Sequence, residues 1–176
     1  MKTIEHWIDG APYSGAPTGR IPVENPGTGE VEAELLHASD ADLDHAVEVA
    51  RRAQREWAKV SLAKRVAIMF RMRQLVLDHQ DEMARLIVAE HGKNYSDAIG
   101  EIQRGRETFD FATAINVALK GEYSYDVSSG VDIHTLRQPV GVVAGICPFN
   151  FPAMVPMWMH PLAVAAGNAF ILKPAS

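Results

Sequence analysis

The chain has 176 residues, 47% of them hydrophobic and 22% charged, which is typical of one globular domain with a substantial core. Its formal net charge of −5 at pH 7 argues against a general binder of nucleic acid or anionic membranes, because such a protein needs a basic face. The single cysteine, Cys147, excludes an intramolecular disulfide and a multi-cysteine metal site. The seven histidines lack paired H-x-x-x-H spacing, so we expect no metal.

Two segments bear on targeting and membrane association. The first, residues 1–7, contains no apolar core for a secretory signal. Residues 151–172 form an apolar stretch long enough to span a bilayer, but polar residues, glycine and prolines interrupt it. These interruptions are Pro156, His160, Pro161, Gly167 and Asn168. We therefore expect a buried helix and strand there, no membrane association, and a location in the cytoplasm or, in a eukaryote, the mitochondrial matrix.

Turn signals and apolar spacing predict strands first and helices afterwards. Closely spaced turn residues in the first thirty-odd positions indicate short strands and hairpins. Four amphipathic helices follow, from Ser39 (with Asp42 three residues on as a cap signal), from Ser61, from about Asp81 to Gly92, and from about Ser96 to Leu119. The predicted apolar face of the second helix comprises Val66, Met69, Phe70, Met72, Leu75 and Val76.

The pattern changes after Gly121. Alternating residues on both sides of a turn at 128–130 predict a hairpin. The apolar run 140–146 is typical of a buried parallel strand, and a helix over 153–166 and a strand over 169–172 complete a βαβ unit. Units of this kind bind ligands in a crevice at the carboxyl ends of their strands.

The loop that leaves the first parallel strand has the sequence GICPFNFP, residues 145–152. It lacks the G-x-G-x-x-G fingerprint, so a standard Rossmann pyrophosphate loop is not supported. Asn150 lies between two prolines near the expected ligand crevice. Two interpretations remain open on these grounds alone, namely a rigid loop with a capping asparagine and a loop whose amide contacts a ligand.

This loop and GNAFILKP at 167–174 resemble the aldehyde dehydrogenase superfamily. HWIDG at 6–10, NPGTGE at 25–30 and EHGK at 90–93 fit the same superfamily in the right order, so the resemblance spans essentially the whole chain. FNFPAMVP at 149–156, LRQP at 136–139 and an arginine like Arg104 in EIQRG are similar to the CoA-acylating methylmalonate-semialdehyde dehydrogenase group.

The resemblance implies an α/β fold that forms the amino-terminal part of the aldehyde dehydrogenase fold, with helices and a βαβ unit of a Rossmann-like NAD-binding domain. Residues 1–120 are then the first part of that domain, 121–139 an oligomerisation hairpin, and 140–176 the first βαβ unit. Family chains are roughly three times as long. Their glycine-rich cofactor turn, general-base glutamate and nucleophilic cysteine follow the Lys-Pro segment, so the catalytic domain is expected to be absent here.

The resemblance also implies a chemistry for particular residues. A cysteine thiolate attacks the aldehyde, and the amide of Asn150 donates a hydrogen bond to the resulting oxyanion. Hydride passes to NAD, and CoA resolves the thioester. Ile146, Cys147, Pro148 and Phe149 match cofactor positions along the nicotinamide and phosphates, and Lys173 matches the position at the adenosine ribose. In the family a glutamate often stands at the position of Ser176, and serine removes a carboxylate that would repel a 2′-phosphate. NAD is therefore the expected cofactor, while discrimination against NADP is left open.

Three side chains have a structural alternative at this point. Lys173 is either a ribose ligand or a solvated charge at the end of a strand. Arg104 is either a substrate residue, whose guanidinium suits a carboxylate-bearing semialdehyde or CoA, or an exposed ion-pair partner within its helix near Glu101. Cys147 is better explained as a small packed side chain than as the nucleophile, which needs a nearby base and an electropositive setting.

Several functions are compatible with these features. The first is the NAD-binding segment of an acylating dehydrogenase that converts methylmalonate or malonate semialdehyde to propionyl-CoA or acetyl-CoA, assembles as a homodimer or homotetramer at full length, and is inactive as this chain alone. The second is the same segment of a hydrolytic aldehyde dehydrogenase. The third is a truncated, non-catalytic paralogue that associates with full-length subunits through its hairpin.

Overall fold

The computed structural model describes residues 2–175, and its first region is built from five short strands. They are β1 (Lys2–Ile4), β2 (His6–Ile8), β3 (Ala11–Tyr13), β4 (Gly19–Glu24) and β5 (Val31–His37). Strand β5 lies between β1, which is parallel to it, and β4, which is antiparallel. Strands β2 and β3 form a hairpin whose turn residues, Asp9 and Gly10, both have positive φ, as a primed turn requires. The predicted strands and hairpins are confirmed.

Helices make up the next region. They are α1 (Asp40–Trp57), α2 (Leu62–Asp78), α3 (Gln80–His91), α4 (Tyr95–Thr113) and α5 (Ile115–Ala118). Ser39 and Asp42 form a complete capping box at the start of α1, as their spacing predicts. Gly92 ends α3 in the left-handed conformation, with φ of 76°. Local sequence signals therefore predict the helix order and most of the helix ends.

The core surrounds α4, which packs against α2, α3 and the later helix α6 (Met154–Ala165). Buried apolar side chains from these four helices and from α5 form one cluster. Its members are Met69, Ala84, Ile87, Ala98, Ile102, Phe109, Ala112, Ile115, Met157 and Ala165. A core of this kind holds α4 and α6 in fixed register, and the candidate site described below lies between these two helices.

The predicted apolar face of α2 is too wide. Met69 is fully buried, whereas Phe70 and Leu75 are each 55% exposed. Successive residues of a helix turn by about 100°, so Phe70 lies well outside the line of contact that Met69 makes with α4. Val76, seven residues after Met69, returns to that line and packs against the core.

The fourth helix is shorter than its apolar spacing predicts. It ends at Thr113, and α5 follows as a separate turn. The hydroxyl of Thr113 donates to the carbonyl of Asp110 at 2.7 Å, while the N–H of Ala114 donates to Phe111 instead, at 3.1 Å. A side chain that donates to a carbonyl of its own helix competes with the backbone hydrogen bonds of that helix. This competition explains the break between α4 and α5.

The last region contains a hairpin and a βαβ unit. Strands β6 (Tyr123–Ser128) and β7 (Val131–His134) form the predicted hairpin, and every residue in both strands is exposed. Strands β8 (Val142–Ile146) and β9 (Ala169–Lys173) are parallel, with α6 between them in the chain. Helices α1 and α6 both contact this pair of strands. Within residues 2–175, no helix has both the length and the apolar character needed to cross a bilayer.

Candidate functional site

The carboxyl ends of β8 and β9 lie side by side, as the βαβ pattern predicts. Ile146 pairs with Lys173, and the N–H of Cys147 donates to the carbonyl of Lys173 at 3.1 Å. Ile146, Pro148, Phe149 and Lys173 are exposed at this edge. An apolar surface with an ammonium at its end suits a dinucleotide, whose ring and ribose hydroxyls need such partners. Ser176, the remaining predicted cofactor residue, lies outside the described residues.

Cys147 differs from its neighbours in the loop because its side chain turns inward. It is only 7% exposed. Burial raises the pKa of the Cys147 thiol, and the positive charge of Lys173 lowers it by less. A buried thiol with a raised pKa is a weak nucleophile at neutral pH. The structure thus agrees with Cys147 as a packed side chain, and leaves only its backbone for contact with a ligand.

Asn150 and Arg104 line the same cleft. This cleft has a volume of about 590 Å³ and lies between α4 and the loop that leaves β8. Both residues are exposed. Glu101 is the acidic residue near Arg104 in the sequence. Its side chain turns inward and binds Lys93, not Arg104. The cleft therefore brings together a neutral amide donor and a guanidinium, the two groups for which the family resemblance implies contact with one substrate.

Lys93, which follows the end of α3, connects α4 to this loop. Its ammonium lies 2.5 Å from a carboxylate oxygen of Glu101 and donates to the carbonyl of Asn150 at 2.9 Å. It also stands over the ring of Phe151, 4.5 Å from the ring centre, at a distance suited to a cation–π interaction. One ammonium thus contacts a buried carboxylate, a main-chain carbonyl and an aromatic face of the same small region.

Glu101 binds the start of α6. Its side chain has no exposed surface, and its second oxygen accepts hydrogen bonds from the N–H groups of Ala153, at 2.8 Å, and Met154, at 3.0 Å. The first N–H groups of a helix have no partner within the helix, and Ala153 offers no side chain to cap them. The carboxylate of Glu101, which belongs to α4, caps these N–H groups. Its negative charge also interacts favourably with the positive end of the α6 dipole.

The other end of α6 is held by side chains from α1 and α2. Trp57 donates to the carbonyl of Val164 at 2.8 Å, Arg65 to Ala165 at 3.0 Å, and Gln54 to Gly167 at 3.1 Å. The last carbonyls of a helix lack partners in its regular hydrogen-bond ladder, and these side chains bind two of them and the carbonyl of Gly167 just beyond the helix. With both ends bound, α6 gives the preceding loop a fixed base.

Phe149, which lies on the other side of Asn150 from Phe151, stacks on the ring of His91. The two ring centres are 4.5 Å apart and the ring planes differ by 18°. Asn150 therefore lies between two aromatic residues that are held at the end of α3 and just beyond it, Phe149 by His91 and Phe151 by Lys93.

Sequence reasoning did not identify Lys93 and Glu101 as site residues. Both lie in segments that carry the family resemblance, but no local pattern links them, because they lie in different elements. One signal was available for Glu101. It occupies the same helical face as Ala98, Ile102 and Gly105, all of them buried, so its charge had to find a partner inside the protein.

Among residues 2–175, no group of three or more histidine, cysteine, aspartate or glutamate side chains is arranged to hold a metal ion. Three acidic residues line the cleft, Asp97, Glu101 and Glu107, and Glu101 is already bound to Lys93 and to the start of α6. The chemistry that the described residues offer is hydrogen bonding and charge.

Comparisons with known proteins found related sequences and structures. The model of the aldehyde dehydrogenase family matches residues 13–176. A malonate-semialdehyde dehydrogenase from Geobacillus thermodenitrificans (strain NG80-2) is 47% identical over 99% of the chain, and the chain spans 36% of its length. The solved methylmalonate-semialdehyde dehydrogenase of Oceanimonas doudoroffii is 45% identical, with a TM-score of 0.96 over the whole chain and 36% of that structure.

A second solved structure adds a cofactor. This protein from Sinorhizobium meliloti 1021, assigned as a methylmalonate-semialdehyde dehydrogenase, was solved in complex with NAD. It is 44% identical, with a TM-score of 0.96 over all of this chain and 36% of its own. The chain thus spans about a third of the length of these relatives and matches the amino-terminal, NAD-binding part of their fold.

Proposed function

The chain belongs to the aldehyde dehydrogenase family, and we propose that it is the NAD-binding segment of a CoA-acylating dehydrogenase for malonate or methylmalonate semialdehyde. The observation that carries this proposal is the shared cleft of Asn150 and Arg104. An aldehyde that also bears a carboxylate needs both groups, one at each end. Similarity to malonate- and methylmalonate-semialdehyde dehydrogenases supports the same substrates.

Asn150 is the residue that acts on the reacting carbonyl in this proposal. Its amide donates to the oxyanion that forms when a thiolate attacks the aldehyde. The thiolate comes from a part of the protein that follows these residues, because the only thiol here is buried. One donor of this kind is worth roughly 2.7–4 kcal/mol of the barrier. Arg104 binds the substrate carboxylate with its planar guanidinium.

The exposed edge of β8 and β9 holds the cofactor. Ile146, Pro148 and Phe149 form a wall for the nicotinamide and phosphates, with Cys147 contributing only backbone, and Lys173 donates to a ribose hydroxyl. When bound, NAD would supply the hydride acceptor, and coenzyme A would supply the thiol that receives the acyl group. The products would be acetyl-CoA from malonate semialdehyde and propionyl-CoA from methylmalonate semialdehyde, each formed together with NADH and with the substrate carboxylate released as CO2.

A first test measures products of the full-length protein with NAD, coenzyme A and each semialdehyde. We expect acyl-CoA to form. Free acid without thioester would favour the hydrolytic alternative.

Arg104→Met should raise KM for the semialdehydes at least about tenfold while leaving KM for uncharged propanal nearly unchanged. Arg51→Met, which removes an exposed arginine of α1, is the matched control. An equal change for propanal would contradict the carboxylate role.

A second test concerns the 176-residue chain itself. We propose that it has no dehydrogenase activity alone, because its described residues supply an oxyanion donor without an accessible nucleophile. NAD reduction with either semialdehyde as substrate would contradict this.

The exposed β6–β7 hairpin is proposed to assemble full-length subunits into dimers or tetramers. If the chain lacks activity but co-purifies with full-length subunits through that hairpin, a non-catalytic paralogue is favoured.

A further inference from the structure

We infer that the Lys93–Glu101 ion pair positions Asn150 for the proposed reaction. This inference rests on the proposed function, because it concerns how the oxyanion donor is held. Neither side chain touches the reacting atoms in this account. Both act on the backbone of the loop that presents the Asn150 amide to the cleft.

The ion pair forms hydrogen bonds with the backbone on both sides of Pro152. On one side, the ammonium of Lys93 binds the main-chain carbonyl of Asn150, so the side-chain amide of that residue remains exposed to the cleft. On the other side, Glu101 binds the N–H groups of Ala153 and Met154. Pro152, between these points, has a fixed φ and donates no hydrogen bond. The path of the backbone from 150 to 154 is therefore set by one ion pair.

Stability alone does not account for this arrangement. The side chains of Lys93 and Glu101 are 12% and 0% exposed. Removing two charges from water costs free energy that their attraction only partly restores, and well-packed apolar pairs are often as stable. The charges have a use that apolar side chains cannot provide, since they bind a carbonyl and two N–H groups of the loop in defined directions.

The aromatic contacts of Phe149 and Phe151 also support a positioned Asn150. Lys93 holds Phe151 through its ring face, while Phe149 stacks on His91. Both neighbours of Asn150 thus contact the carboxyl end of α3, Phe149 at its last residue and Phe151 at Lys93 just beyond it. Displacing a reacting group by about 1 Å can reduce a rate about 100-fold, so a loop carrying an oxyanion donor gains from being held on both sides.

The experiment is a double-mutant cycle in the full-length protein. Lys93→Met and Asn150→Ala are made singly and together. We expect Lys93→Met to lower kcat about 10- to 100-fold with little change in KM for NAD. Because Lys93 acts through Asn150, adding Lys93→Met to Asn150→Ala should lower kcat by less than about twofold more. Independent, multiplicative losses would overturn the inference.

A second variant separates positioning from folding. Lys93→Met/Glu101→Gln removes both charges, so no buried charge is left unpaired, and it keeps an oxygen at position 101 for the N–H groups of α6. We expect this variant to retain its thermal midpoint and to lose kcat as Lys93→Met does. Lys59→Met, which removes an exposed lysine paired with Glu56, is the matched control and should change neither quantity. A double variant with full kcat would overturn the inference.

Hydrogen exchange of residues 149–154 provides a readout that does not depend on turnover. Exchange should be faster in Lys93→Met, unchanged in Lys59→Met, and partly slowed again in Lys93→Arg, which restores a charge. If Asn150→Ala retains full kcat, the oxyanion role in the proposed function fails. In that case faster exchange in Lys93→Met still supports positioning of the loop by the pair, and unchanged exchange overturns it.

Discussion

Two buried carboxylates in this protein bind the first turn of a helix, and they do so by different routes. Asp42 lies in the first turn of α1 and accepts from the N–H of Ser39, at 2.9 Å, in its own helix start. Glu101 lies in α4 and accepts from the start of α6, more than fifty residues later in the chain. One cap is local and the other is tertiary.

The partners of the two carboxylates differ as well. Asp42 is held by neutral donors, which besides Ser39 include the N–H of Ala16, at 3.0 Å, and the hydroxyl of Tyr13, at 3.1 Å. Glu101 is paired with the ammonium of Lys93. A neutral set of donors stabilises the charged form without burying a second charge, whereas an ion pair leaves a buried charge whenever one partner is lost. The two sites should therefore respond differently to mutation.

The largest expected effect is that of Glu101→Ala. This change leaves the ammonium of Lys93 buried without its counter-charge and uncaps α6, so we expect a loss of about 3–5 kcal/mol in the free energy of unfolding. Urea unfolding measures it. Glu107→Ala, an exposed change on the same helix, should have little effect. A loss below about 1 kcal/mol for Glu101→Ala would show that water replaces the missing contacts.

Gly105→Ala tests whether the close approach of α4 and α6 matters beside the charge. A Cβ at Gly105 would lie 2.5 Å from the Sδ-bound methyl carbon of Met157 and 3.2 Å from the Cα of Met154. We expect a loss of about 1–3 kcal/mol from overpacking. Gly100→Ala is the control, because no atom lies within 4 Å of its Cβ position, and it should stabilise α4 by about 0.5–1 kcal/mol. Equal effects would rule out close packing as the cause.

Ser39→Ala tests the local cap. The Ser39 hydroxyl oxygen accepts from the N–H of Asp42 at 3.2 Å, and the change should cost about 1 kcal/mol in urea unfolding. Ser61→Ala is the matched control, since Ser61 precedes α2 but makes no capping hydrogen bond with its side chain. Similar losses in both variants would mean that the hydrogen bond of Ser39 contributes little.

The smallest expected effect is a pH dependence from Asp42. Hydrogen bonds from the backbone and hydroxyl of Ser39, then from Ala16 and Tyr13, hold the pKa of Asp42 well below its ordinary value of 3.8. Because the pKa of Asp42 is lower in the folded state than in the unfolded state, its carboxylate stabilises the protein at pH values above the unfolded pKa. This contribution is lost as the pH falls from about 5 through the unfolded pKa toward the folded one. Asp42→Asn should flatten the acid side of stability measured by urea between pH 6 and pH 3. An unchanged slope would contradict the assignment.

Much of the fold was predictable because its signals are local. The Ser39–Asp42 box, the left-handed Gly92 and the Asp9–Gly10 turn each act within a few residues, and the structure has all three. The exposed Phe70 shows where such reasoning ends. Apolar spacing defines a helical face, but the neighbouring helix decides how much of that face is covered.

The candidate site was predictable in part for the same reason. The loop between β8 and α6 could be placed at the carboxyl end of a parallel strand, and its edge residues Ile146, Pro148, Phe149 and Lys173 lie there. The inward turn of Cys147 confirms the packed side chain that the sequence favoured. The roles of these residues toward the cofactor stay predictions.

The sequence by itself determined the family, the order of helices and strands, and the loop that carries Asn150, since each is written in neighbouring residues. Only the tertiary structure showed that Arg104 shares a cleft with Asn150 and that Lys93 and Glu101 hold the loop between them. The physical reason is the distance along the chain. Packing of α4 against α6 brings the carboxylate of Glu101 within hydrogen-bond range of Ala153 and Met154, and no pattern in neighbouring residues predicts that contact.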